Sequence, residues 1–309
     1  MTNWFQSDEC LDFYKSLGFL DAFECRVERG GETKGRIVGY FQKDGGKVKQ
    51  FFSRRAIING GPMLADDITD EEFISLLNDC KKKLKGKAIY VETRNFSDYS
   101  TNKNVFKKCG WKYEPHFNFH IDTTSSDVVE NNLGKSRKRD IRTSLRDGAE
   151  FGEAKDLCEV LELYGLLEHL YSTKVKTPLF SYEFFEKLFS SSWGKIFVVR
   201  YEGRIVGGTV CVCGKDTVYE WFACGEDGIS KSVFPSTLAT YAGIKYAADN
   251  AFFRFDMMGA GSPGDGGYGV RDFKAKFGGE LVEYGRFKCV LNWPLYVIGC
   301  LGVKILKRH

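Results

Sequence analysis

The sequence predicts an α/β protein of the α+β type, built as two tandem copies of one unit, each a mixed central sheet flanked by helices. Three observations predict it. The pentapeptide GRIVG occurs twice, at 35–39 and 203–207. The same succession of alternating and helical apolar patterns follows each copy. The distance from the GRIVG glycine to a later Phe-Lys pair is 71 residues in the first copy (Gly35 to Phe106) and 70 in the second (Gly203 to Phe273), a register that chance does not keep.

The elements follow in the same order in both copies. GRIVGYFQKDGGKVKQFF and GRIVGGTVCVCGKDTVYEWF each read as a strand, a Gly/Lys/Asp turn and a second strand, the pattern of a hairpin. EEFISLLNDCKKKL (71–84) and STLATYAGIKYAADN (236–250) repeat apolar residues at helical spacing, and feed strands AIYVETRN (88–95) and FFRFDMMG (252–259). Each strand leads through a loop to a short helix that stops at glycine and opens a last strand, in VFKKCGWKYEPHFNF (105–119) and DFKAKFGGELVEYGRF (272–287). That element order is the order of the GNAT-type acyltransferase fold. Residues 1–150 read as a first GNAT-like unit ending in a basic linker helix at about 126–147, and 151–309 as a second unit carrying the site.

Composition narrows the function classes. A 43% hydrophobic and 15% aromatic chain with only six Pro is a packed globular protein. Net charge is +4, but residues 134–146, GKSRKRDIRTSLR, hold six Lys or Arg against one Asp. Such a helix is either a solvated face or a surface for a phosphorylated partner, with Leu133, Ile141 and Leu145 docking it and Arg137, Lys138, Arg139, Arg142 and Arg146 outward. The first residues carry acids where a secretory signal carries Lys or Arg, so a cytoplasmic protein with ten reduced cysteines is expected. Neither a CxxC pair nor a His/Cys cluster suggests a metal. The segment VLNWPLYVIGCLGVKILKRH, with Asn292, Pro294 and Lys304 interrupting it, is marginal for a membrane span. It reads as a final strand and a short amphipathic helix packed on the body, or as a peripheral membrane contact through Lys304, Lys307 and Arg308.

The tandem pair, FFSRRAIINGGP (51–62), KSRKRDIRTSLRDG (135–148), TPLFSYEFFEKL (177–188) and FDMMGAGSPGDGGYGVRDFKAKFGGE (255–280) together resemble the FemAB-like family over most of the chain. The resemblance implies transfer of an aminoacyl group, typically from charged tRNA, to an amine of a peptidoglycan precursor's peptide. It also implies Phe273 and Lys274 at the active centre. Two departures stand out. The span between Gly152 and Trp193 has no room for the long helical arm of the staphylococcal-type members, and the Thr-x-x-Arg that contacts the acceptor's phosphates in some members is here Thr173 to Lys176, which retains charge without the bidentate fork.

An amine attacking an ester or thioester passes through a tetrahedral oxyanion, which Lys274 can stabilise as a cation. The loop before it, with Gly259, Gly261, Gly264, Gly266, Gly267 and Gly269 around Tyr268, exposes backbone N–H groups where the first copy has RNFSDYSTNKN. Asp256 either anchors that loop or takes a proton. None of the four His lies in the late loop, and His116 and His120 read as structural. Further candidates for substrate contact, in a groove between the units, are Arg54, Arg94, Tyr219 and Trp221. The turn CGEDGISKSVFPSTL has acids where a CoA pyrophosphate would sit, although Lys231, Ser232 and the helix start near Ser236 could meet phosphate. Three functions stay open: aminoacyl transfer to a phosphate-bearing cell-envelope precursor, acyl-CoA-dependent N-acylation of a surface sugar or lipid precursor, and a non-catalytic binding scaffold. The donor is a co-substrate in the first two, and no cofactor is expected.

Overall fold

The computed structural model describes residues 3–42, 54–175, 178–265 and 269–306. After a 3-10 turn at Trp4–Gln6, helix α1 (Asp8–Ser16) starts where the Ser7 hydroxyl accepts the Cys10 N–H. Strands β1 (Leu20–Arg29) and β2 (Glu32–Gln42) pair antiparallel through Gly30 and Gly31, at φ 60° and 81°, the left-handed pair that a two-residue hairpin turn requires. Then come β3 (Arg55–Gly60), β4 (Met63–Leu64), α2 (Asp70–Leu84), β5 (Tyr90–Asn95), α3 (Lys103–Lys108), β6 (Lys112–Glu114) and β7 (Phe117–Asp122). Thr69 and Glu72 form a capping box that starts α2. The chain continues with α4 (Ser126–Asn132), α5 (Lys135–Arg146), β8 (Glu150–Glu153), α6 (Leu157–Leu170), α7 (Tyr182–Phe189) and β9 (Gly194–Tyr201). It closes with β10 (Arg204–Cys213), β11 (Thr217–Gly225), α8 (Pro235–Asp249), β12 (Arg254–Gly259), α9 (Gly269–Ala275), β13 (Glu280–Glu283), β14 (Arg286–Val290) and α10 (Trp293–Leu306).

Two mixed sheets result, in a tandem GNAT fold. The first runs β1-β2-β3-β5-β14-β6 with β4 beside β2, the second β13-β7-β12-β11-β10-β9-β8. The last strand of each repeat is therefore exchanged: β14 stands beside β5 and β6, and β7 beside β12 and β13. By contacts the units are 1–116 with 283–309, and 117–282. A boundary near 150 does not describe this division: strand pairing puts β7 in the second sheet and β14 in the first, and the contacts group the basic helix with the second unit and residues 283–309 with the first. In the first unit Phe287 of β14 stacks on Phe106 at 3.7 Å in a core with Ile37, Phe73, Leu77 and Val91. The second unit's core gathers Phe197, Val206, Leu238, Phe255, Met257 and Phe277.

Other expectations change in detail. A strand precedes GRIVG in each copy: β9 meets β10 through Glu202 and Gly203, at φ 50° and 77°. The turn and second strand expected after the first GRIVG fall mostly on residues 43–53, outside the described residues. The basic linker helix is two helices. At Gly134 the N–H donates to the Lys276 carbonyl at 3.0 Å, and a Cβ there would stand 2.8 Å from that oxygen, so the chain bends where only glycine fits. Helix α5 buries Arg137, Asp140, Ile141 and Ser144, while Leu145, expected to dock, is 42% exposed. All ten cysteines are free thiols. Among the described residues no helix is long and apolar enough to cross a membrane, and no cluster of His, Cys, Asp and Glu is arranged to hold a metal.

Candidate active site in the second unit

The site forms where β12 loses its regular pairing. Asp256 pairs with His120 and Gly259 with Asn118, which sets Met257 and Met258 against the single residue Phe119 in a bulge. Met258 has φ 55°, in the left-handed region that a side chain disfavours. The Asp256 carboxylate holds this conformation by accepting the Met258 N–H at 2.6 Å. Asn118 approaches the same carboxylate at 3.4 Å, and His120 Nε2 lies 3.4 Å from Oδ2. Asp256 is 1% exposed, and its geometry is that of the loop anchor. A bulge of this kind redirects backbone groups beside a strand end.

Those redirected groups are carbonyls, and they receive Lys274. Helix α9 brings its side chain down onto the end of β12, where Nζ donates to the Met257 oxygen and to the Gly259 oxygen, the latter at 3.0 Å. Lys274 is only 9% exposed. Burial pulls its pKa below the ordinary lysine range, against the attraction of Glu220 and Asp256. Its repeat counterpart Lys107 is exposed. The two copies thus share a residue type and differ in what the fold does with it.

Glu220 completes the charge arrangement. It stands mid-strand in β11, 6% exposed, accepting from Thr240 Oγ1 at 2.9 Å, with Thr209 Oγ1 at 3.4 Å. Burial raises its pKa, while Lys274 and the two hydroxyls favour the carboxylate. The Lys274 amine and the carboxyl groups of Glu220 and Asp256 therefore share a buried interior, where a charge is costly unless paired. Sequence reasoning missed Glu220, Thr209 and Thr240. The available signal was a single acid inside the otherwise apolar and aromatic run TVYEWFACG.

Two arginines fix α9. Arg271 donates to the Ala260 carbonyl at 3.0 Å and to the Ser262 carbonyl at 2.5 Å, tying the loop after β12. Arg137, expected to face solvent and substrate, turns inward instead and is 6% exposed. Its guanidinium lies over the rings of Phe273 and Phe277 at 4.3 and 4.9 Å and donates to the Phe273 carbonyl at 3.2 Å. Phe273 is half-buried against it, whereas its counterpart Phe106 is fully buried. The inward turn goes with the close approach of α5 to residues 273–277, where Gly134 meets Lys276 and the two rings enclose the Arg137 side chain. Arg139 and Arg142 remain on the open side of α5, where they line a shallow basic concavity with Lys135, Lys138, Thr143 and Arg146.

The remaining expected residues disperse. Tyr219 is 8% exposed beside Asp256, and burial raises its phenol pKa. Trp221 is half-buried against Phe184, ring centroids 5.0 Å apart. Arg54 and Arg94 belong to the first unit, where Arg94 meets Glu92 at 3.4 Å. Burial pushes the Glu92 carboxyl up, but Arg286, Arg94, Lys288 and Arg55 outweigh it and hold it below the usual range. His116 lies in that first-unit network, 2.8 Å from Arg286. Lys176, Gly267 and Tyr268 lie outside the described residues. In the turn after β11, Glu226 is tied to Arg204 and Asp227 to Lys174, both at 2.5 Å, and α8 begins at Phe234 and Pro235 without a side-chain cap.

Comparison with known proteins gives this geometry a context. A family model described as an acetyltransferase (GNAT) domain matches residues 135–274. No protein of curated function matches the sequence. Among solved structures, FemX is 16% identical with a TM-score of 0.71, covering 96% of this chain and 94% of FemX. A C-terminal domain assigned to a lysylphosphatidylglycerol synthetase from Agrobacterium fabrum is 14% identical, TM-score 0.62, covering 98% and 93%. A tandem GNAT protein from the clavulanic acid biosynthesis pathway is 8% identical, TM-score 0.56, covering 89% and 85%. At these identities the likeness is one of fold.

Proposed function

We propose that the chain, with a GNAT acetyltransferase domain matched at residues 135–274 and a tandem fold like that of FemX, is an acyltransferase that forms an amide by transferring an aminoacyl group from charged tRNA to the amine of a phosphate-bearing cell-envelope precursor. The observation that carries this reading is the contrast between the two Phe-Lys pairs. A lysine that merely decorated a helix would be exposed in both copies, as Lys107 is. Lys274 is instead buried and held on two bulge carbonyls.

An ammonium has three hydrogens, and the carbonyls take two. In this reading the third meets the oxygen of the donor's carbonyl as the amine attacks and negative charge develops there. A preorganised donor of that kind is worth roughly 3 kcal/mol in a water-excluded site. The new C–N bond forms, the ester C–O bond to the tRNA ribose breaks, the amine gives up a proton and the departing hydroxyl takes one. An acceptor amine with a pKa of about 8 to 10 requires only modest help in losing its proton near neutrality. Phe273 forms the wall of the site and is braced by Arg137. Tyr268, Gly267 and Lys176, with Arg139 and Arg142 on the basic face, are the proposed contacts to the acceptor and its phosphates. The reading places the enzyme in the cytoplasm, and a lipid-linked acceptor would bring it to the inner face of the membrane.

The test is label transfer by the purified protein to UDP-linked and lipid-linked muropeptides, from a pool of charged tRNA and separately from labelled acetyl-CoA. Lys274→Ala is run beside it, with thermal melting to establish that the variant folds. RNase-sensitive transfer, lost in a folded Lys274→Ala, is expected. Transfer from the thioester alone would replace the proposal with CoA-dependent acylation. Undiminished transfer by the variant would refute the role of Lys274.

A further inference from the structure

Helix α10 packs one side against the first unit, where Tyr296 meets Tyr90 edge-on at 5.6 Å. Through residue 301 its other side is apolar and exposed. Trp293 is 65% exposed, Val297 49%, Ile298 51% and Leu301 55%. Spaced at i, i+4, i+5 and i+8, they share one arc of the helix. They account for four of the eleven large hydrophobic residues exposed among those described. Isolated exposed apolar residues are ordinary, but a contiguous stripe on a single helix marks a surface that something covers.

We propose that this stripe docks the protein onto an anionic lipid surface, with α10 lying in the plane of the interface. Two features select a lipid surface over a second copy of the chain. First, residues 284–309 contain Arg286, Lys288, Lys304, Lys307 and Arg308 and not one Asp or Glu. Arg286 and Lys288 are engaged with Glu92 and Glu114; the other three follow the apolar stripe in sequence. An apolar arc followed by cations matches an anionic headgroup layer above acyl chains, whereas two copies meeting through this segment would bring like charges together. Second, Trp293, at the beginning of the helix and on its exposed side, is a residue type that settles at the level of the headgroups. Among the described residues the helix is fourteen residues long, too short to span, so the proposal lays it on the surface.

The inference stands apart from the acyl-transfer reading, because binding is measured without donor or acceptor. Co-sedimentation with vesicles of phosphatidylcholine, alone or mixed equally with phosphatidylglycerol, is compared for the full chain and for Val297→Ser/Leu301→Ser. Both replaced side chains are exposed, so melting temperature is expected to be unchanged. The full chain should partition at least tenfold more strongly to the mixed vesicles, less so as salt rises, and the double variant should lose at least tenfold. Trp293 emission should shift to shorter wavelength on binding, by difference against Trp293→Phe. Equal partition to both vesicle types, an unaffected double variant, or a stripe-dependent dimer that excludes vesicles would each overturn the proposal.

Discussion

Replacing Arg137 with methionine distinguishes a residue that holds substrate from one that holds helix α9. The guanidinium lies 4.3 and 4.9 Å from two ring centroids in a buried setting, an interaction worth about 1–2 kcal/mol. Its hydrogen bond to the Phe273 carbonyl at 3.2 Å adds about 1.5–3 kcal/mol as a charged donor. Asp140, 6% exposed, would retain only Arg139 at 3.2 Å. Against these stands the cost of burying the cation, which already lowers the Arg137 pKa, and methionine would recover part of the packing. The net loss is about 2–4 kcal/mol, which for a unit of this size lowers Tm by about 5–15 °C. Calorimetry and steady-state kinetics on the same preparation test it. The expected result is a fall in Tm and in kcat, since Phe273 and Lys274 lose their brace, with KM for a phosphate-bearing acceptor unchanged. An unaltered Tm with a raised KM would refute the structural role and restore Arg137 to the substrate.

Gly278 sits at φ 81°, and a Cβ there would lie 1.8 Å from the Asn132 carbonyl oxygen. Gly278→Ala should therefore cost about 3–5 kcal/mol in a denaturant titration, whereas Gly264→Ala, with open space around it, should leave the midpoint in place. Because burial lowers the Lys274 pKa, its ammonium is lost as pH rises through a value below the ordinary 10.5 of lysine. The alkaline limb of the kcat profile should accordingly fall below that value, vanish in Lys274→Arg if activity survives, and move lower still in Glu220→Gln, since the carboxylate supports the cation; coincident profiles for wild type and Glu220→Gln would argue against the coupling. Glu159 accepts both ends of the Arg200 guanidinium at 2.6 Å, and this hydrogen bonding lowers its pKa. A lowered carboxylate pKa stabilises above the unfolded value near 4.5 and is lost as pH falls through the folded one. Glu159→Gln should thus cost about 1–2 kcal/mol at pH 7, and the difference from wild type should shrink as pH falls from 4.5 through the lowered folded value, by melting across a pH series.

Local elements and their repetition were written in the sequence. GRIVG, the helices at 71–84 and 236–250, the strand carrying Asp256 and the Phe-Lys pair all lie where apolar spacing and glycine placed them, because those patterns report which side of an element faces a core. Lys274 as the reacting cation and the glycine-rich loop before it were equally legible as candidates. What tertiary structure alone decided has one physical source: it depends on partners distant along the chain. Strand β14 reads as the end of the second repeat, yet its hydrogen bonds go to β5 and β6, and no periodicity states which sheet receives a last strand. Arg137 looks like one more cation on a solvated face until α5 approaches residues 273–277 and two aromatic rings enclose it. Lys107 and Lys274 are interchangeable in a repeat alignment. The Met257–Met258 bulge and the buried Glu220 make one of them an enclosed cation and leave the other in water.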